Sequence, residues 1–251
     1  MGTKKIGISG AAGFLGQALL TKLADLHEVY AFDLEGAGGG QAVVQADVLD
    51  FDDMKRLCAG MDAVIHLACA AWQDGLSEAE NETRILDTRL KGTWNMMQAA
   101  VDAGVRRVIQ VSDLCIFSGY DKDVMVSEDF VPLPDTTAHQ QSVYLSELIG
   151  REFARLVPGL VLTLRLGKLV DPGSLLADAV FDPAWLDTTD AVRAIVGGLD
   201  LNGYDGLSNW GLYNLAADVP TPRFSLLKIK SGQFGFQPEE DFRAWREGDT
   251  A

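Results

Sequence analysis

The sequence has few cysteines and a deficit of positive charge, and each shortage excludes a class of protein. Its three cysteines, Cys58, Cys69 and Cys115, show no C-x-x-C spacing, and an odd number leaves one unpaired in any disulfide scheme. We therefore expect buried free thiols in apolar stretches, as in a reducing cytoplasm. The net charge of -15 disfavours binding to nucleic acid or to an anionic membrane surface.

Histidine is also scarce, and long apolar runs are absent. His27, His66 and His139 are isolated, without clustered ligand residues, so the sequence predicts no metal centre. We expect His66 to pack at the end of a strand. No apolar run reaches the roughly 20 residues that a membrane helix needs. The first residues enter a strand without the pattern of a signal peptide, which favours a soluble, cytoplasmic protein.

Short apolar runs rich in valine and isoleucine alternate with longer helical patterns. This alternation is typical of a parallel sheet covered by helices on both faces. We predict the α/β fold class, as a doubly wound parallel sheet (Rossmann fold) with a small C-terminal substrate lobe. The predicted strands are residues 5–9, 28–33, 42–46, 63–68, 107–112 and 160–166. The predicted helices are residues 14–26, 51–59, 79–103 and 138–156.

The pattern changes after residue 170, where short segments are punctuated by prolines. Helices are predicted there at 188–199 and 222–228, and the glycine-rich stretch 36–40 earlier in the chain is predicted to be a loop. The tail is too small to fold alone. We therefore divide the chain into a nucleotide-binding domain, residues 1–170, and a substrate lobe packed on it, residues 171–251.

Three glycines separate the first predicted strand from the first predicted helix. One permits a sharp turn, one lets backbone amides approach a pyrophosphate, and one lets helix and strand pack closely. The amino end of the helix adds unpaired N–H groups and the positive end of a dipole. We expect the turn and first helical residues to bind a dinucleotide, namely Gly10, Gly13, Phe14, Leu15 and Gly16.

Asp33 ends the second predicted strand, 17 residues after Gly16. A carboxylate there can accept both ribose hydroxyls and repels a 2′-phosphate, so we expect NAD rather than NADP. The alternative is a strand-end aspartate that caps the following loop. Asp47 and Val48, after the third strand, are predicted to contact the adenine edge, although an exposed turn aspartate would look the same.

The G-x-x-G-x-x-G spacing, together with residues 66–70 (HLACA), 91–93 (KGT) and 164–165 (LR), resembles the extended short-chain dehydrogenase/reductase superfamily. That superfamily includes nucleotide-sugar epimerases, dehydratases and uronate dehydrogenases. The resemblance implies an NAD-dependent oxidoreductase or isomerase acting on a small sugar-derived substrate. It also implies a nicotinamide-ribose wall at Leu67, Ala68 and Cys69, and a homodimer formed through helices 79–103 and 138–156.

The superfamily's catalytic group is a Ser or Thr, a Tyr, and a Lys four residues after the Tyr. The resemblance places Tyr144 at the tyrosine and Ser112 beside the reacting ring. Leu148 occupies the lysine position and Leu114 the Ser or Thr position, while Arg89 stands where the superfamily often has Asn. Of these polar positions, only Tyr144 is kept.

Two hypotheses follow from this pattern. In the first, the chain is an active enzyme in which Arg89 or Lys168 supplies the positive charge that Tyr144 needs to release its proton. The competing interpretation makes Arg89 a solvated or ion-paired residue, Lys168 a strand-end solubilising residue and Tyr144 a half-buried aromatic. A frame shifted by one residue would instead place Glu147 at the lysine position.

In the second hypothesis, the chain is a non-catalytic dinucleotide-binding sensor or partner subunit. The residues of the cofactor turn are intact, whereas the usual Ser and Lys of the proton-transfer group are absent. Losing proton transfer does not remove cofactor binding, because different residues carry the two functions. Substrate-selecting residues are expected in the tail, where the candidates are Arg223, Trp210 and Lys228.

Overall fold

The centre of the fold is a seven-stranded, all-parallel sheet in the order β3-β2-β1-β4-β5-β6-β9. The structure is a computed structural model that describes residues 2–35, 43–201 and 209–246. The strands of this sheet are β1 Lys5–Ser9, β2 Glu28–Asp33, β3 Val43–Gln45, β4 Ala63–His66, β5 Arg107–Asp113, β6 Leu160–Leu166 and β9 Trp210–Leu215. A separate pair is formed by β7 Lys168–Val170 and β8 Trp185–Asp187.

Helices cover both faces of the sheet, which confirms the predicted doubly wound α/β fold. They are α1 Phe14–Leu23, α2 Phe51–Cys58, α3 Glu78–Asp102, α4 Ala138–Phe153, α5 Thr188–Gly198, α6 Leu227–Lys230 and α7 Arg243–Arg246. Within the described ranges, none of these helices combines the length and apolar character needed to cross a bilayer.

Successive residues of the central strands point to opposite faces, so each strand contributes to two separate cores. One core packs the strands against α1 and α5, and the other packs them against α2 and α3. The first contains Ile65, Ile109 and Leu162, and the second contains Val64, Val108 and Val161. This two-sided burial explains why the strands read as nearly continuous apolar runs.

The strand order reverses beside β1, where β2 leads to one side and β4 to the other. In open parallel sheets, ligands bind at the carboxyl ends of the strands beside such a reversal. Gly10, Asp33, Leu67 and Ser112 all lie at the ends of strands along this edge. The topology therefore gathers most of the predicted site residues at one edge of the sheet.

The segment after residue 170 adds strands and helices to the structure that the earlier residues form. It provides β9 as the outermost strand beside β6, β8 as the partner of β7, and α5, which packs against α1. The three-residue strands β7 and β8 were not among the predicted strands. Both are too short to produce a recognisable alternation of apolar and polar residues.

One predicted helix is wrong, and several predicted ends differ from the structure. Residues 222–226 form no helix, because Phe224 bridges Val126 and the Ser225 amide donates to the Val126 carbonyl. A backbone occupied by a bridge cannot also form helical bonds, so α6 begins only at Leu227. β4 ends at His66 rather than residue 68, and the predicted glycine loop 36–40 lies outside the described residues.

Candidate functional site

Two of the three turn glycines are required by the protein's own packing. Gly10 has φ of 76°, and a Cβ there would lie 2.7 Å from the Ala68 amide nitrogen. A Cβ at Gly16 would lie 2.5 Å from the Gly10 carbonyl oxygen. Both distances are shorter than real contacts, so any larger residue would separate the turn from β4 or from helix α1.

Gly13 has a different environment. It is exposed, its backbone is in the extended region, and a Cβ there would meet only the Gly10 oxygen at 3.5 Å. The protein itself therefore leaves room for a side chain. Gly13 caps α1 without a side-chain bond, and the first turn contains no acidic residue. The first-turn amides, including Phe14 and Leu15, have no partner within the helix and suit an anion such as a pyrophosphate.

Asp33 faces this turn from the end of β2. One carboxylate oxygen accepts from the Ala12 amide at 2.8 Å, and the other receives only a long bond of 3.4 Å from the Glu35 amide. The side chain is half-buried and keeps acceptor capacity free. Asp33 therefore caps its own loop and can still accept ribose hydroxyls, so the two interpretations of this residue are compatible.

Asp47 and Val48 lie in the turn after β3. One Asp47 oxygen accepts from the Leu49 amide at 2.8 Å, so this carboxylate already stabilises its own turn. The Val48 carbonyl accepts from the Asn95 side chain at 2.9 Å, and Gly92 leaves the space that the Val48 side chain fills. Val48 is thereby fixed against α3 at the edge of the expected adenine site.

His66 lies at the end of β4, as the sequence predicts, and it anchors the neighbouring loop. Its ring nitrogens lie 2.7 Å from the Ser9 hydroxyl and 3.1 Å from the Thr93 hydroxyl. Burial, with a smaller contribution from the charge of Arg89, lowers the pKa of His66 to about 3. The imidazole is therefore neutral near pH 7 and ties β1, β4 and α3 together.

The loop after β4 carries the predicted ribose wall. The Leu67 amide donates to the Ser9 carbonyl at 3.0 Å, Ala68 is buried, and Cys69 is exposed. All three cysteines are free thiols, but only Cys58 is buried, so the prediction of uniformly buried thiols is wrong. Burial raises the pKa of Cys58 to about 12, so that thiol stays protonated.

A buried ion pair connects α4 to the sheet. Glu147 accepts two bonds from Arg165, at 2.9 Å to Nε and 2.7 Å to Nη2, and it also accepts from the Ser112 hydroxyl. Both side chains are 3% exposed or less. The Arg165 guanidinium also lies 5.0 Å from the centre of the Phe117 ring. The Glu147 charge is thus neutralised by Arg165, and the Ser112 hydroxyl is engaged by a carboxylate.

Helix α4 divides the candidate catalytic residues between two faces. Val143 and Glu147 are buried, while Tyr144 and Leu148 are half-buried on the adjacent face. Tyr144 packs against the apolar cluster that contains Leu114, and its hydroxyl makes no hydrogen bond to the residues that the structure describes. The structure therefore brings Tyr144 close to Leu114, whereas Ser112 is bonded to the other face of the helix.

Arg89 is half-buried on α3, and its charge acts on both the His66 ring and the Cys115 thiol. The guanidinium is thus directed into the region between the loop after β4 and the turn after β5. Among the described residues Arg89 forms no ion pair. This location suits a residue that acts on a bound ligand.

A pocket of about 360 Å³ opens beyond the carboxyl end of β5. It is lined by residues of the 3-10 turn that follows β5 and by residues of the C-terminal segment, including Asp113, Leu114, Cys115, Phe117, Lys168 and Arg223. Asp113 and Cys115 also lie close to His139, and the side-chain donor atoms of these three residues are within 4.8 Å of one another. The prediction that His139 is isolated is therefore wrong. Sequence spacing could not reveal the cluster, because His139 follows Cys115 by a long loop.

The three substrate candidates of the tail have structural partners. Arg223 donates to the carbonyls of Phe117, Tyr120 and Asp121, so its guanidinium is occupied by backbone. Trp210 starts β9 at the opposite edge of the sheet and donates to Thr163 at 2.9 Å. The Lys228 amine lies 5.2 Å from the centre of the Tyr213 ring. Of the predicted basic residues, Lys168 is exposed at the pocket.

The buried pair gives the first testable prediction. Glu147→Gln leaves the Arg165 charge buried without a counter-charge, so we expect the free energy of unfolding to fall by about 3–5 kcal/mol. Urea denaturation measures this value. The matched control is Glu152→Gln on the same helix, whose pairs with Arg151 and Arg155 are exposed and contribute little because water screens them. Equal losses in both variants would contradict the assigned role of Glu147.

Comparisons with known proteins agree with this architecture. The model of the NAD dependent epimerase/dehydratase family matches residues 6–181. Cinnamoyl-CoA reductase 1 of Oryza sativa subsp. japonica is 29% identical over 119 residues, a match that covers 42% of this chain and 33% of the reductase.

Among solved structures, uronate dehydrogenase from Agrobacterium tumefaciens is 20% identical with a TM-score of 0.81, covering 100% of this chain and 90% of that one. MoeE5 in complex with UDP-glucuronic acid and NAD is 19% identical with a TM-score of 0.77, covering 98% and 99%. Because the family model matches well over half of the chain, the protein belongs to the NAD dependent epimerase/dehydratase family.

Proposed function

We propose that the protein binds NAD along the carboxyl edge of the sheet and acts as an oxidoreductase or epimerase on a sugar or sugar-derived substrate. The observation that carries the proposal is Gly13, where the protein leaves room for a side chain beside the uncapped end of α1. A glycine that the packing does not require is explained by a ligand that approaches its backbone closely. Asp33 faces the same turn with free acceptor capacity.

The proposed roles follow the order of the strands. Gly10, Gly13 and Gly16, with the amides of Phe14 and Leu15, hold the pyrophosphate, and Asp33 accepts the adenosine ribose hydroxyls. Asp47 and Val48 border the adenine, Val48 being held there by Asn95. Leu67, Ala68 and Cys69 border the nicotinamide ribose. In this proposal, NAD therefore lies along the carboxyl ends of β1, β2, β3 and β4.

The substrate site in this proposal is the pocket beyond β5. Its walls combine apolar side chains with the Asp113 carboxylate and the exposed Lys168 amine. The half-buried Arg89 lies nearby, since its charge acts on Cys115. Two cations beside a cavity of sugar size favour a substrate that carries a carboxylate or phosphate. Structural neighbours described as uronate dehydrogenase and as a complex with UDP-glucuronic acid are consistent with that class.

When bound, NAD supplies a nicotinamide ring that accepts a hydride from a substrate carbon. The protein must then take a proton from the substrate hydroxyl. Tyr144 is the proposed proton acceptor, and Ser112 is the proposed hydroxyl beside the ring. Because Leu148 supplies no charge, Arg89 is the proposed cation that favours the tyrosinate form. Glu147 does not oppose this role, since its charge is paired with Arg165.

Cofactor binding is tested at Gly13. Gly13→Ala places a methyl group where a pyrophosphate would lie but causes no clash within the protein. We expect the affinity for NAD in isothermal titration to fall at least about tenfold, while the free energy of unfolding changes by less than about 0.5 kcal/mol. The matched control is Gly197→Ala on α5, where a Cβ meets only the Phe234 ring at 3.8 Å. Unchanged NAD affinity in Gly13→Ala would overturn the assigned site.

Catalysis is tested at Arg89. We expect Arg89→Leu to lower kcat for NAD-dependent oxidation of a uronate or sugar by about 100-fold, because the proposed site loses the cation that replaces the lysine. Arg89→Lys keeps the charge and should retain much of the activity. The control Arg151→Leu removes an exposed arginine of α4 that pairs with Glu152. Activity that is equal in the Arg89→Leu and wild-type proteins would exclude this role.

The alternative function is a dinucleotide-binding sensor or partner subunit without turnover. It is favoured by Leu114 and Leu148 at the expected catalytic positions and by the Ser112 hydroxyl, which is engaged by Glu147. Tight binding of NAD, combined with no substrate-dependent change in nicotinamide absorbance across a panel of sugars and uronates, would select this alternative. Reduction of NAD by any member of the panel would exclude it.

We further propose a homodimer formed through α3 and α4. The two helices pack together, and their outer surfaces keep exposed apolar side chains, with Trp94 47% and Leu145 39% exposed. Burying such residues between two copies would remove apolar area from water. We expect light scattering to give the mass of two chains, and Leu145→Glu to give the mass of one. Leu176→Glu, on a residue 73% exposed elsewhere, is the control that should remain dimeric.

A further inference from the structure

Three different donor groups lie close together beside the pocket beyond β5, and two of them line it. The Asp113 carboxylate comes from the end of β5, the Cys115 thiol from the 3-10 turn that follows, and the His139 imidazole from the first turn of α4. Their donor atoms lie within 4.8 Å of one another. A metal ion that contacts three ligands at about 2.0–2.3 Å needs donor atoms separated by less than twice that distance, so only a small rearrangement is required.

The chemistry of these donors suits one class of ion. Thiolate sulfur and imidazole nitrogen are preferred by zinc and related d-block ions, whereas magnesium and calcium prefer oxygen ligands. Three protein ligands with an open fourth position are typical of catalytic zinc sites, and structural sites use four protein ligands. Asp113 and Cys115 line the pocket of about 360 Å³, so a fourth position has space for water or substrate.

A backbone amide orients one of the three ligands, and charged groups surround the other two. One Asp113 oxygen accepts from the Cys115 amide at 2.7 Å, which fixes the carboxylate beside the thiol. The Asp135 carboxylate lies near both other ligands, since its charge acts on Cys115 and the charge of His139 acts on it. Cations oppose these two carboxylates, namely Arg89, whose charge also acts on Cys115, and Lys168 and Arg223, which line the pocket.

We propose that Asp113, Cys115 and His139 bind a divalent d-block ion of the zinc type and leave one coordination position open to the pocket. Binding displaces the thiol proton, because the thiolate is the form that ligates. If the proposed function also holds, an ion here would polarise a substrate oxygen beside Tyr144, in a site where the usual lysine is absent. That consequence rests on the proposed function, whereas metal binding itself does not.

The test measures metal binding without NAD, so its outcome is independent of the cofactor proposal. Protein that has been treated with a chelator is titrated with Zn²⁺ by calorimetry and with Co²⁺ by absorption. We expect one ion per chain and a thiolate-to-cobalt charge-transfer band. Cys115→Ser should abolish the band, and Asp113→Asn and His139→Gln should each weaken affinity at least about tenfold.

Matched controls use the same residue types away from the cluster. Cys69→Ser removes an exposed thiol, and His27→Gln removes a histidine whose Nδ1 accepts from the Lys4 amide. Both should keep the stoichiometry and the cobalt band. The proposal is overturned if the wild-type protein shows no thiolate band, or if Cys115→Ser binds Zn²⁺ as tightly as wild type. Urea denaturation of each variant distinguishes loss of a ligand from loss of the fold.

Discussion

The bidentate pair between Glu147 and Arg165 sets the position of helix α4 relative to the sheet. Two charges have been removed from water here, and each is stabilised mainly by the other and by the hydroxyl of Ser112. Such a pair tolerates little displacement, because a buried charge without its partner is costly. His139, Tyr144 and Leu148 lie on the same helix, so this attachment contributes to their positions.

The same attachment changes the electrostatics of the expected catalytic group. A family member with a lysine on this helix would carry a cation beside the tyrosine. Here the buried charged residue of α4 is an acid, Glu147, which is directed towards β6. The cations near the pocket include Arg89 of α3 and Lys168 of β7. Positive charge thus reaches the pocket from different elements. The proposed chemistry therefore relies on groups that the family pattern does not anticipate.

The sequence predicted the fold well where local physics determines it. Gly10 and Gly16 are required by backbone contacts within a few residues or across one strand, and the valine-rich and isoleucine-rich strands are buried on both faces. It failed where a distant segment decides the outcome. Phe224 lies outside a helix because Val126 is hydrogen-bonded to the backbones of Arg223 and Ser225 on either side of it. The cluster of Asp113, Cys115 and His139 depends on how α4 docks. Glu147 was considered at the lysine position, but its pairing with Arg165 is not visible from spacing.

Strand β6 has all seven residues buried, and its outer edge is covered by β9, which begins more than 40 residues later in the chain. Until β9 docks, a long apolar strand must expose a row of unpaired amides and carbonyls. Such edges pair readily with other chains. During synthesis at roughly 5–20 residues per second, β6 therefore remains open for a few seconds. The last strand of the sheet thus covers β6 and also protects the nascent protein from aggregation.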